Sequence, residues 1–333
     1  MQSVASTPDR SADLPSIGWV GTGRMGTAMA RRLVRRGRDV AVYNRTRSKT
    51  EPLVAEGAKA VDHVGDLADR DVVFITVASS DDLLAIVGAD GDRGLLAGGR
   101  VPGVVVDCST VSEDASAEAR ARLAARGAAF LAAPVSGNPK VAEAGKLTMV
   151  VSGERDAFDR VQPDLVSIAH AAIYVGEGER ARLVKICHNL FLGVAIQALG
   201  EIAVLAEKGG VRRSDLLDFL NTSVMGSPFT RYKSPALVNL AFKPTFTTKL
   251  LRKDFDLGLA AARSLEVPMP VAGLVHQILG ANIGRGIGDL DFAALVELVG
   301  ADAGIQLESE ERDVSDGLEP EGSPGAGPRP AAL

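Results

Sequence analysis

The sequence predicts an α/β Rossmann-like domain, a doubly wound parallel sheet, followed by an all-α domain and joined to it by one long helix. Three observations carry this. From Ser16 to about Gly178, short apolar runs alternate with segments of helical period, the pattern of βα units. A glycine-rich turn separates the first apolar run from the first helical segment. After Gly178 the strand-like runs stop, and the remaining chain reads as helix.

In chain order, strands are expected at 17–20, 40–43, 72–77, 104–107, 129–132, 148–151 and 172–175. The clearest intervening helices are expected at 25–36, 112–126 and 156–169. The long helix spans 180–208, and further helices are expected at 213–222, 235–241, 247–265, 271–282 and 292–299. The domains are therefore a flexible arm at 1–15, a sheet domain at 16–178, a helical domain at 179–307 and a disordered tail at 308–333. The arm lacks the apolar centre of a signal peptide. The tail is acidic and then rich in Pro and Gly, a composition that buries little. No repeat of fixed period is present.

Composition narrows the function. A hydrophobic share of 46% over 333 residues supports a substantial core, and a net charge of −5 gives no electrostatic footprint for nucleic acid or an anionic membrane. A small-molecule substrate is the expected partner. Lys185, His188, Asn189, Gln197 and Glu201 interrupt the apolar run of the long helix, which argues against a membrane span. The cysteines, Cys108 and Cys187, have neither disulfide nor metal spacing. Both are expected to be buried, inert thiols in a reducing, cytoplasmic setting. The histidines at 63, 170, 188 and 276 are scattered, and no metal site is legible.

The stretch "IGWVGTGRMGTAMARRLVRRG" sets Gly21, Thr22, Gly23, Arg24, Met25 and Gly26 between a strand and an amphipathic helix. In such a turn the first glycine permits the bend, the second lets backbone approach a pyrophosphate, and the third lets helix and strand close up. The helix N-terminus then offers N–H groups to phosphate. The second strand ends in "VYNRTRSK". A site selective for NAD places Asp or Glu here for the ribose hydroxyls. Asn44, Arg45 and Thr46 stand there instead, followed by Arg47 and Lys49. A carboxylate would repel a 2′-phosphate and an arginine can hold one. NADP(H) is therefore expected over NAD(H).

With these motifs in hand, the chain resembles the β-hydroxyacid dehydrogenase family, which includes 3-hydroxyisobutyrate dehydrogenases and glyoxylate/succinic semialdehyde reductases. The likeness runs from Ile17 to about Leu307. Its motifs appear in order: the glycine turn, Asn44–Arg45–Thr46, then Asp107-Cys108-Ser109-Thr110. The substrate loop "APVSGNPKVAEAGKL" comes next, then Lys185 with Asn189, and last Lys253-Asp254. The chain departs from the family with Asn138 in place of a second loop glycine, His188 beside Asn189, and Val111-Ser112 where a proline is usual.

The resemblance implies a dehydrogenase or reductase acting on a small β-hydroxyacid or its aldehyde or ketoacid. Hydride transfer at a carbinol carbon also needs a proton moved at oxygen. Lys185 is the implied general acid/base. In a mostly apolar cleft the charged form of a lysine is disfavoured, which eases proton transfer, and while charged it steadies an oxyanion. Asn189 lies one turn on, on the same face. Ser136, Gly137 and Asn138 are the implied carboxylate loop, and Lys253 stands near both substrate and nicotinamide. Thr110 is expected at the nicotinamide ribose, with Val77, Ala78 and Ser79 along the same groove. A cleft between the domains is the expected substrate site, and a homodimer or homotetramer the expected assembly.

Two other readings fit the same scaffold. Cyclic-imine reductases share the fold and cofactor but usually lack the lysine, and some relatives are NADP-binding modules without catalysis.

Overall fold

The computed structural model describes residues 14–88 and 94–318. The expected arm up to residue 13 and the tail from 319 lie outside the described residues. The first part of the chain runs β1 (Ile17–Val20), α1 (Arg24–Arg35), β2 (Val40–Tyr43), α2 (Glu51–Val54), β3 (Lys59–Ala60), β4 (Val72–Ile75), α3 (Ser80–Val87), β5 (Val104–Asp107), α4 (Glu113–Ala124) and β6 (Ala129–Ala132). These strands form one six-stranded sheet, ordered β3-β2-β1-β4-β5-β6, with every pairing parallel. Strands β1, β4, β5 and β6 are buried along their whole length, as expected of strands covered on both faces. Strand order reverses between β1 and β4, so loops at their carboxyl ends flank a switch point, where ligands of such sheets bind.

Next come β7 (Val135–Ser136), α5 (Pro139–Glu143), β8 (Thr148–Val151), α6 (Arg155–Ile168) and β9 (Ala171–Tyr174). The runs expected at 148–151 and 172–175 form a separate three-stranded sheet, β7-β8-β9, whose first pair is antiparallel. The cause is local. The chain runs on from β6 through Ala133 and Pro134 into β7 in one extended register, and β8 returns antiparallel to it after α5, so that Ala132 and Ser152 exchange backbone hydrogen bonds at 2.9 Å.

The remaining helices are α7 (Arg180–Lys208), α8 (Arg213–Thr222), α9 (Pro228–Asn239), α10 (Thr248–Ser264), α11 (Pro270–Gly284) and α12 (Leu295–Asp302). The chain divides into two compact units, Met1–Lys185 and Ile186–Leu333, so the boundary falls inside α7. Helix α7 is apolar and long enough by composition to cross a membrane. Its second-unit part nevertheless carries buried Asn189 and Gln197, and it packs Ile186, Leu190, Ile196 and Leu199 into the helical core. Val184, Phe191 and Leu205 remain exposed on it.

Two glycines bring α7 and α10 close. A Cβ on Gly193 would lie 2.4 Å from the Phe255 ring, and one on Gly258 would lie 2.7 Å from Leu190. Each glycine is the socket for a large side chain of the other helix. A glycine inside a helix costs about 1 kcal/mol relative to alanine, and burial of Phe255 and Leu190 offsets that.

Two expectations need correcting. Helix α9 begins at Pro228, not at 235. Ser227 and Thr230 form its capping box, and Pro235 lies inside the helix rather than in its first turn. The tail, expected to be disordered from 308, is held against α8 and α9 over residues 308–318. The buried Arg213 guanidinium donates to the Glu308, Leu237 and Val238 carbonyls, the Glu310 carboxylate accepts from Ser214 N–H at 3.3 Å, and Asn239 exchanges two hydrogen bonds with the Arg312 backbone. The acid that looks solvating in the sequence sits at the α8 N-terminus, where negative charge is favoured.

Candidate active site

The turn after β1 separates what the protein needs from what a ligand needs. Gly21 adopts φ +91°, and a Cβ there would stand 2.0 Å from the Thr76 carbonyl oxygen. A Cβ on Gly26 would stand 1.9 Å from the Gly21 oxygen. The protein itself demands both glycines. Gly23 has nothing within 4 Å of the same position, so its missing side chain leaves open space. It is also the N-cap of α1, whose first turn has no capping side chain and no acid. Its N–H donors suit an anion. The Thr22 and Thr76 hydroxyls beside the turn are buried without a hydrogen-bond partner. A pyrophosphate fits this cradle. Arg24 is exposed and Met25 half-buried at its rim.

Asn44 staples this turn to the end of β2. Its Oδ1 accepts from Thr22 N–H at 3.0 Å and its Nδ2 donates to the Thr46 carbonyl at 2.9 Å. The neutral amide thus occupies the position of a ribose-binding carboxylate. Arg45 extends outward, 86% exposed, 3.4 Å from Asp82. A cavity of about 470 Å³ opens beside the start of α1, lined by Thr22, Gly23, Arg24, Thr27, Arg31, Lys49, Pro52, Pro139 and Glu143, so that three cations and one acid face it.

At the carboxyl ends of β4 and β5 stand Val77, Ala78 and Thr110, each half-buried or exposed. The Asp107 carboxylate accepts from Ser109 N–H at 3.1 Å and from Ser109 Oγ at 2.6 Å, and Ser109 Oγ accepts from Val77 N–H at 2.8 Å. The other Asp107 oxygen takes the Arg182 guanidinium at 2.5 Å. Arg182 also donates to the Ser109 carbonyl and to Ser116 Oγ. Sequence reasoning missed Arg182. Its signals were an acid ending an apolar strand, which needs a partner, and an arginine three residues before Lys185. Lys185 is half-buried, the last residue of the first unit.

In the proposed carboxylate loop, Gly137 adopts φ +131° and a Cβ would strike Leu147 and Val141 at 2.6–2.7 Å. Asn138 is extended (φ −117°), not left-handed, and caps α5 by accepting from Val141 N–H at 3.0 Å. Only one of the two positions requires glycine, so asparagine at 138 carries no backbone strain. Ser136 stands at the end of β7, half-buried.

In the second unit, Asn189 is buried and donates from Nδ2 to Asp254 Oδ2 at 2.5 Å. His188 Nδ1 meets Asn189 Oδ1 at 2.9 Å, so both ends of the amide are held. Lys253 Nζ lies 3.4 Å from Asp254 Oδ1, its side chain 39% exposed. In the sequence Asp254 stands out only as part of the Lys253-Asp254 motif; its bond to Asn189 is additional. Helix α7 is continuous from Lys185 to Asn189, which keeps the two on one face.

Cys108 is buried, and desolvation together with the Asp107 charge pushes its thiol far up, so it is unreactive. Cys187 is exposed, contrary to the expectation of two core thiols; it faces away from the packed side of α7. Among the described residues no three His, Cys, Asp or Glu side chains are grouped to hold a metal ion.

A pyrophosphate cradle at the switch point of a parallel sheet, followed by a helical unit, defines a nicotinamide-nucleotide oxidoreductase scaffold. The profile for the NAD-binding domain of 6-phosphogluconate dehydrogenase matches residues 16–176. That for the NAD-binding domain of NADP-dependent 3-hydroxyisobutyrate dehydrogenase matches residues 179–299. Glyoxylate/succinic semialdehyde reductase 1 of Arabidopsis thaliana is 31% identical over 85% of this chain and 98% of its own length. The crystal structure of 3-hydroxyisobutyrate dehydrogenase from Salmonella typhimurium superposes with TM-score 0.75 at 26% identity, covering 86% of this chain and 100% of that one. Psf3, solved in complex with NADP+ and 2-OPP, gives TM-score 0.76 at 26% identity over 85% of this chain and 99% of its own. The chain belongs to the β-hydroxyacid dehydrogenase family, that of the 3-hydroxyisobutyrate dehydrogenases and glyoxylate/succinic semialdehyde reductases, and is an NAD(P)-dependent dehydrogenase or reductase.

Proposed function

We propose that the protein is an NADP(H)-dependent oxidoreductase that interconverts a small β-hydroxyacid and its aldehyde or ketoacid, with Lys185 as general acid/base. The observation that carries this reading is the pair Lys185 and Asn189 on one face of α7, the amide fixed between His188 and Asp254. Preference for NADP(H) is supported by a neutral Asn44 where a carboxylate would repel a 2′-phosphate, and by Arg45, Thr46 and Lys49 beyond it.

The bound nicotinamide supplies or accepts the hydride. Lys185 gives a proton to the nascent alkoxide, or takes one from the alcohol, and while charged it steadies the oxyanion. Asn189 is held in one orientation and presents its amide without reorganisation. Ser136, Gly137 and Asn138 hold the substrate carboxylate, and Lys253 adds positive charge to the same substrate. Val77, Ala78 and Thr110 flank the nicotinamide end, and Gly21 to Gly26 the pyrophosphate. The working form is a homodimer or homotetramer in the cytoplasm. The acidic net charge supports a small-molecule partner rather than nucleic acid or membrane.

The test is a panel of C3–C5 semialdehydes, glyoxylate and β-hydroxyacids with NADPH and NADH in parallel, with cyclic imines included. Turnover of an aldehyde acid with NADPH supports the reading. Turnover of imines alone, or of nothing, overturns it.

A further inference from the structure

We propose that Arg182 is a positioning residue for the reaction: it sets the rotation of the first turn of α7 and so the place of Lys185 relative to the ends of β4 and β5. This rests on the role given to Lys185 above. Arg182 is 1% exposed and Asp107 fully buried. The guanidinium reaches three acceptors on two segments: the Asp107 carboxylate at the end of β5, the Ser109 carbonyl just beyond it, and Ser116 Oγ on α4 at 3.0 Å. Asp107 and Ser109 pass the connection to β4 through Val77 N–H.

Every one of these groups belongs to the first unit, as does Lys185. A planar fork with three fixed acceptors permits a single orientation of its stem, which a lysine's point charge would not impose. Lys185 lies three residues on, on the same side of the helix, about 4.5 Å along its axis. Arg182 grips the end of β5, which carries Thr110, and Ser109 Oγ links that end to Val77 at the end of β4. One side chain thus fixes the acid/base lysine and the nicotinamide-side strand ends in a single frame. Stability alone does not call for this arrangement, because buried ion pairs are often replaceable by apolar groups without loss.

The experiment uses Arg182→Lys, which keeps a cation opposite Asp107, and the neutral double variant Asp107→Asn/Arg182→Gln. Each is compared with wild type and Lys185→Ala, using succinic semialdehyde and NADPH as probes. Expected for both variants is a kcat lowered about tenfold to a hundredfold with KM little changed. NADPH affinity, read by its fluorescence, stays near wild type. Amide exchange quickens in the first turn of α7 and around Ser109 but not across β1 to β2. A wild-type kcat in both folded variants overturns the proposal, as does loss of NADPH affinity in step with turnover. If neither variant folds, Arg182 is structural and the proposal falls. Full turnover by Lys185→Ala would instead remove the lysine's role, a separate failure.

Discussion

Asn189 of α7 donates its amide N–H to the buried carboxylate of Asp254 on α10 at 2.5 Å, while His188 meets the amide oxygen. The bond exists because Gly193 and Gly258 let the two helices approach closely enough for short side chains to meet. Packing in the helical unit thus sets the orientation of a group proposed to touch substrate. Removing the acceptor with Asp254→Ala leaves a buried donor unpaired, a cost of about 1–3 kcal/mol. The expected outcome is lower stability in urea unfolding and a kcat reduced about tenfold or more. Unchanged kcat in the folded variant would detach Asp254 from the site.

The glycine sockets make a prediction about stability alone. Gly193→Ala forces a methyl group against the Phe255 ring, an overpacking that costs about 1–3 kcal/mol. Phe255→Leu in the same chain should recover part of that loss. If Gly193→Ala melts at the wild-type temperature, the close approach of α7 and α10 is not required.

Cofactor choice should turn on Asn44. Asn44→Asp removes the donor to the Thr46 carbonyl and sets a negative charge where a 2′-phosphate would lie. The ratio of kcat/KM for NADPH over NADH should fall at least about tenfold, since opposed like charges cost more than the roughly 1.4 kcal/mol this needs. A wild-type enzyme that prefers NADH would refute the reading of Asn44, Arg45 and Thr46.

Acid stability should depend on Asp291. Burial raises its pKa, but the Lys233 ammonium at 2.5 Å and donors from Thr245 and Ala293 outweigh this and hold it below its ordinary value. A depressed carboxylate contributes stability that is fully present above its unfolded pKa of about 4 and is lost as pH falls through the folded value. Wild-type unfolding free energy should therefore drop steeply as pH is lowered below about 4, and Asp291→Asn should show a shallower acid limb from a lower starting point. Parallel limbs would contradict the assignment.

The nucleotide turn and most helices are legible in the sequence because their signals are local. Gly21, Gly23 and Gly26 stand at a fixed spacing between a strand and a helix, which the sequence alone displays, and the helices of the second unit follow apolar period. The departure at Asn138 carries no backbone strain, because only Gly137 of that pair holds positive φ, which the sequence alone does not show. Pro235 misleads because proline usually opens a helix, while the stronger start signal lies at Ser227 and Pro228. Arg182 and Asp254 are out of reach for another reason. Their partners, Asp107 and Asn189, are 75 and 65 residues away in the chain, and only the tertiary fold joins them. The same holds for Glu310, which the acid-rich composition around it disguises as solvating.

The most direct measurement is single-turnover reduction of succinic semialdehyde by NADPH with Lys185→Ala beside wild type, after NADPH binding has been shown to match. A variant that binds cofactor normally but reduces the aldehyde about a hundredfold to ten-thousandfold more slowly is the result predicted for a lost general acid. An equal rate in the two proteins would contradict the account at its centre.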